Sequence, residues 1–346
     1  MTVEIPDHAL AVGQQMQRRP GSCRRSASLP IFSTTPPVLL MVLIAVSVLA
    51  SGPIERAALP IAIAGGLIGV PHGAVDHLVL GWSAGGWRSP PARVMARIVV
   101  AYTGLAAAAA TALIIAPEVS LALGLLLSAL HFGRGEVVGW AERSGVTVPS
   151  VLTDALPAIA HGGAVVGLLV WMHPEAGTRV LNVLSPQLSA DLLSLRTPGL
   201  CAVGVAVIAG VGKLLASGRH REAAELTLVA LTFAVAPPLA AFGVYFGGWH
   251  ALRHSARLLE LARSPEDKGW KQAVRRLTHA AAIPTLIALG AIAVMWRVQA
   301  VAGLATVITV LLALTVPHAV VVAAMDRSRS GARVHGQDAA IAGHVS

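Results

Sequence analysis

Imidazoles carry the most conspicuous chemistry in this sequence. It holds thirteen histidines, and seven of them, His72, His77, His131, His161, His250, His254 and His318, fall inside apolar segments. An ionisable group at membrane depth is costly and is read as functional by default. A single buried histidine can bridge two helices, but seven in so apolar a chain point to a shared site. In Trp249-His250-Ala251-Leu252-Arg253-His254 the two histidines stand at i and i+4, on one helical face, a spacing that suits two imidazoles on one metal ion. The neighbouring Arg253 and Arg257 point off that face and are expected to snorkel toward the cytoplasmic headgroups.

Four further motifs supply imidazoles. In Gly69-Val70-Pro71-His72-Gly73-Ala74-Val75-Asp76-His77, Pro71 loosens the helix just before His72, and Gly65, Gly66, Gly69 and Gly73 permit close approach of helices or of a flat ligand. Asp76, one turn from His72, is placed to accept the second N–H of a metal-bound imidazole and so fix its tautomer. His77 lies about 140° round an ideal helix from His72, so His72 is preferred as a ligand. The others are Leu130-His131-Phe132-Gly133-Arg134-Gly135-Glu136, Ala160-His161-Gly162-Gly163 and Thr315-Val316-Pro317-His318. For Gly162 and Gly163, tight helix packing explains the small residues as well as a nearby cofactor does. Neutral imidazoles suit iron, copper, zinc or nickel, and donor type alone does not choose among them. Cys23 and Cys201 stand far apart in unlike contexts and imply neither a disulfide framework nor a cysteine metal site. Phosphate-binding glycine loops and nucleophile elbows are absent from the sequence.

The elements that must position these groups are membrane helices. Of 346 residues, 55% are hydrophobic and only 12% charged, with a mean hydropathy of +0.70, whereas soluble domains carry about 25% charge. Apolar runs at 38–53, 58–82, 95–115, 119–140, 154–172, 198–216, 222–236, 239–259, 280–298 and 300–325 predict an all-α polytopic transmembrane bundle of about ten segments, or eight to ten. The break between the seventh and eighth rests on Pro237-Pro238. Residues 1–36 read as a disordered basic cytoplasmic arm, 37–325 as the integral-membrane catalytic domain and 326–346 as a cytoplasmic tail. The net charge of +9 does not signal nucleic acid. Its arginines and lysines sit in short loops and at the ends, on one side of the ten-segment topology, which predicts both termini in the cytoplasm. Residues 173–197 are too polar to span and are expected to form an external loop with an interfacial helix.

Taken in order, G-V-P-H-G-A-V-D-H at 69–77, A-L-H-F-G at 129–133, I-A-H-G-G at 159–163, W-H-A-L-R-H at 249–254 and L-T-V-P-H at 314–318 resemble the Brp/Blh family of membrane-bound β-carotene 15,15′-dioxygenases. The resemblance covers roughly residues 60–325. It implies O2-dependent cleavage of the central double bond of β-carotene into two all-trans-retinal, by ferrous iron held on His72, His131, His250 and His254. His161 and His318 match family positions near the site without a ligand role. Asp76, His77 and Glu136 complete the set of supporting candidates. The family further implies a multi-pass protein of the cell's inner (plasma) membrane, with carotenoid, O2 and membrane lipid as partners and a retinal-binding rhodopsin as consumer of the product. Two rival classes use the same residues: a membrane electron carrier with bis-histidine haem, and a metal or proton transporter. A transporter calls for a path of interior acids, where Asp76 and Glu136 are almost the only candidates. A zinc hydrolase fits poorly, because its metal usually keeps three protein ligands and a water.

Overall fold

The computed structural model of the chain describes residues 31–85, 90–146, 153–264, 266–298 and 303–342. Most of the expected basic arm, residues 1–30, lies outside them. Every regular element among the described residues is helical. The chain begins with α1 (Ile31–Leu49) and α2 (Ser51–Gly69), then a 3-10 turn (Val70–His72) and α3 (Asp76–Gly85). Next come α4 (Ala92–Ile115), α5 (Pro117–Ser144), α6 (Ala155–Gly162), a π turn (Gly163–Gly167) and α7 (Leu168–Trp171). Two short helices follow, α8 (Pro174–Leu184) and α9 (Pro186–Ser194), before α10 (Arg196–Ala216) and α11 (His220–Val235). The last part runs α12 (Pro238–Gly243), a π segment (Val244–Ala251), α13 (Leu252–Leu261), α14 (Trp270–Val298) and α15 (Gly303–Ala342).

Among the described residues, seven helices are long and apolar enough to cross a membrane, or eight when the bent pair Ala155–Trp171 with Pro174–Leu184 counts as one span. The expected segments 222–236 and 239–259 are helical too, as α11 and the continuous run from α12 to α13, but α11 has only 16 residues. The Pro237-Pro238 break is present: Ala236 and Pro237 are extended and α12 starts at Pro238. The polar stretch 173–197 forms α8, α9 and the start of α10. At the other end α15 runs on into the stretch 326–346, where Asp326 pairs with Arg257 and Arg329 lies 2.9 Å from Glu142.

The bundle inverts the soluble pattern. Val100, Ile114, Ile208, Ile283 and Leu286 stand exposed on its outside, as lipid-facing residues do, while its interior holds histidines, arginines and carboxylates. Close backbone contact positions that interior. A Cβ on Gly65 would collide with the Gly243 backbone, one on Gly243 would come within 2.6 Å of the Ile61 carbonyl, and one on Gly247 within 2.6 Å of the Gly65 carbonyl. Such small-residue contacts let membrane helices approach closely. Here they seat the π segment, and His250 with it, on α2. Gly65→Val is therefore expected to force the two apart at a cost of about 1–3 kcal/mol. A lowered melting temperature in detergent checks this, and an unchanged one contradicts the close packing.

Candidate metal centre

Five histidines from four separate regions meet in the bundle. His72 ends the 3-10 turn that contains Pro71, His131 lies on α5, His250 near the end of the π segment, His254 on α13 and His318 on α15 just after Pro317. π-Bulges within helices recur at functional sites, and this one carries its histidine into the centre. Ring centroids of His72 stand 5.2 Å from His250, 5.4 Å from His254 and 5.0 Å from His318. His131 lies 5.2 Å from His250 and 5.0 Å from His318. The i, i+4 pair His250 and His254 presents near-parallel rings 6.3 Å apart.

The donor atoms fit a metal. Ligand nitrogens of the buried His72, His250 and His318 all lie within 4.8 Å of one another. Imidazole nitrogens about 2.1 Å from one ion are at most about 4.2 Å apart, so small side-chain rotations close the set. The Nε2 atoms of His131, His254 and His318 are buried and have no hydrogen-bond partner. Buried polar atoms without partners are rare and expensive. Three of them converging in one interior call for a common electrophile, and a divalent transition metal is the one imidazoles serve.

Supporting groups differ in part from what spacing alone suggests. Asp76 was expected to orient His72. Instead its Oδ2 accepts from His318 Nδ1 at 2.8 Å and from the Tyr102 hydroxyl at 3.0 Å, while His72 Nδ1 donates to the Gly69 carbonyl. The turn at Val70–Val75 is the physical reason: it ends the α-helical register in which Asp76 and His72 share a face. His77 is only half-buried and makes no ring contact with the cluster among those described. His161, fully buried, bonds Tyr245 Oη at 2.9 Å and stands apart from the five. Gly162 packs against the Ala129 backbone and Gly133 against that of Ala158, so these glycines serve the α5–α6 contact that holds His131. Gly66 meets nothing, which removes it from the close-approach set.

Glu136 is likewise drawn elsewhere. It accepts from Trp249 Nε1 at 2.9 Å and pairs with Arg253, which reaches Glu225 at 2.8 Å. Arg253 and Arg257 do not snorkel outward. Both are buried, Arg253 against Glu136, Glu225 and the Trp249 ring, Arg257 against Glu142 and Asp326. Interior acids were available for them: besides Asp76 and Glu136, the fold buries Glu142, Glu225 and Asp326. Each of those three faces an arginine, so they form structural ion pairs and not an open relay. Beside these pairs a cavity of about 60 Å³ is lined by His131, His250, His254, Glu136, Arg253 and Arg257. It has room for a few water-sized molecules. On the apolar side Phe132 lies 4.9 Å from His250 and Phe246 5.6 Å from His72.

Fold and site define a class: a polytopic α-helical membrane protein built around a buried histidine cluster suited to a transition metal. The chain belongs to the β-carotene 15,15′-dioxygenase family, whose model matches residues 63–326 and so takes in all five histidine motifs. It is 28% identical over 294 residues to a Halobacterium salinarum protein named "Probable beta-carotene 15,15'-dioxygenase Blh", covering 78% of this chain and 84% of that one. It is 27% identical over 268 residues to the "Beta-carotene 15,15'-dioxygenase" of an uncultured marine bacterium, 66A03, covering 74% and 89%. No solved structure matches at a significant level.

Proposed function

We propose that this protein cleaves β-carotene with O2 at the central 15,15′ double bond, giving two all-trans-retinal, at an iron centre held by His72, His131, His250 and His254. The observation that supports it most is the meeting of these four motif histidines, from three separate stretches of the sequence, in one buried interior of a family member. Ferrous iron bound there would supply the O2 binding and electron transfer that side chains cannot provide.

The chain's own residues do the rest. The Gly69 carbonyl accepts the Nδ1–H of His72, which leaves the Nε2 lone pair of that ring as its donor. Phe132 and Phe246 give the cluster apolar walls against which a polyene can lie, so that one double bond is held beside the histidines. A carotenoid dissolves in the bilayer, on the side where the lipid-facing helices stand exposed. Substrate therefore enters between lipid-facing helices, while the cavity serves water-sized species. Basic loops set the orientation, with both termini in the cytoplasm and the protein in the plasma membrane. Retinal made there is available to a retinal-binding rhodopsin. A bis-histidine haem is disfavoured, because imidazoles packed edge to face at 5.0–5.4 Å leave no slot for a porphyrin plate.

Expression in carotenoid-making cells tests the proposal. The yellow pigment should fade only in air, with retinal appearing in the extract. Unchanged carotenoid, despite membrane-inserted protein and added ferrous iron, would refute it, and longer apocarotenals in place of retinal would refute central cleavage.

A further inference from the structure

We infer that His318 is a fifth protein donor to the same metal, its Nε2 aimed inward by Asp76 and Tyr102; this rests on the metal-centre reading above. His318 arrives from the last long helix, 242 positions after Asp76, yet it sits inside the cluster. Its ring stands 5.0 Å from His72, 5.0 Å from His131 and 5.5 Å from His254. Its donor atom belongs, with those of His72 and His250, to the set within 4.8 Å of one another. Two of the four histidines singled out by the motifs, His131 and His254, are absent from that set of three.

Tautomer chemistry gives the direction. A carboxylate only accepts, so the 2.8 Å contact of His318 Nδ1 with Asp76 Oδ2 requires the proton on Nδ1 and leaves the lone pair on Nε2. That Nε2 is buried and has no partner. Tyr102, from α4, donates to the same Oδ2 at 3.0 Å and holds the carboxylate in place. Carboxylate–histidine–metal arrangements of this kind fix the ring and raise the basicity of the ligand. The sequence spends both of its tyrosines beside histidines, Tyr102 on the Asp76–His318 pair and Tyr245 on His161. Five protein donors leave one fewer open position on the ion than four, which restricts how O2 and substrate can share it.

The test uses purified, metal-free full-length protein in detergent, titrated with ferrous ion against a chelator without oxygen and then examined as its nitric oxide adduct by electron paramagnetic resonance. Wild type should bind one ion per chain. His318→Ala should lower the affinity at least tenfold and change the symmetry of the nitrosyl signal, and imidazole added to His318→Gly should restore both. Asp76→Asn should weaken binding about 10–100-fold, and Tyr102→Phe should weaken it severalfold in the same direction. Wild-type affinity and signal in His318→Ala would overturn the fifth-donor role while leaving the metal centre standing. Wild type that binds no ferrous ion would overturn the metal reading itself and this inference with it. If His318→Ala does not fold, the decision passes to Tyr102→Phe and Asp76→Asn, and unchanged affinity in both overturns the inference.

Discussion

Alanine at any one of His72, His131, His250 or His254 is expected to remove iron and activity together, with metal content falling at least tenfold and retinal formation disappearing. His72 stands 5.2 Å from His250 and 5.4 Å from His254, and His131 stands 5.2 Å from His250, all within the bundle interior. Deleting one leaves the remaining nitrogens with too few neighbours to offset the desolvation of a dication, a penalty of several kcal/mol per buried ion. His77→Ala should behave differently and keep the iron, because His77 is half-buried and has none of the described ring contacts that join the cluster. Iron per chain, measured for the whole set in one detergent, decides the matter. Loss of metal from His77→Ala together with its retention in His72→Ala would reverse the assignment within this motif.

The second large effect is on stability. Glu225 collects three donors on one oxygen, Trp140 Nε1 at 2.8 Å, Arg143 at 2.7 Å and Arg253 at 2.8 Å, while its other oxygen takes Arg221 at 3.1 Å. Glu225→Ala strips Arg253, itself buried, of one of its two carboxylates. Breaking a buried ion pair from one side costs up to about 3–5 kcal/mol, and here Arg253 and Arg143 would be left to share Glu136 alone. Arg253 belongs to the same W-H-A-L-R-H motif as His250 and His254, so the damage should reach the metal site, and iron affinity should fall along with the melting temperature. A melting temperature within a degree of wild type would mean that the network is solvated and contributes little.

The helices and the histidines were legible in the sequence for the same reason. In a chain with 12% charge, hydropathy marks the spans, and every imidazole inside a span is conspicuous. The partners of those groups were not legible. Asp76 shares a face with His72 only on an ideal helix, and the turn after Pro71 sends it to His318 and Tyr102 instead. Arg253 and Arg257 look like loop anchors when read by position. Their burial depends on Glu225 and Asp326, which come from helices that only the tertiary fold brings alongside. Glu225 did carry a signal, an acid within the apolar run 222–236. So did the tyrosines, only two of which occur, Tyr102 in an otherwise aliphatic stretch and Tyr245 among Phe242, Phe246 and Trp249. The span count differs because α11 is short and the helix after it is broken by the π segment Val244–Ala251 and then carries Arg253, His254 and Arg257 on α13, features that length and hydropathy rules pass over.

The most direct measurement is product yield against metal occupancy in the purified protein. Ferrous ion is added stepwise to metal-free protein with β-carotene in lipid nanodiscs, each sample is opened to O2, and retinal is counted. The histidine-cluster account predicts that activity rises linearly and saturates at one iron per chain, with two retinals formed per β-carotene consumed and none without O2. Retinal from metal-free protein, or no retinal at full iron occupancy, would contradict it.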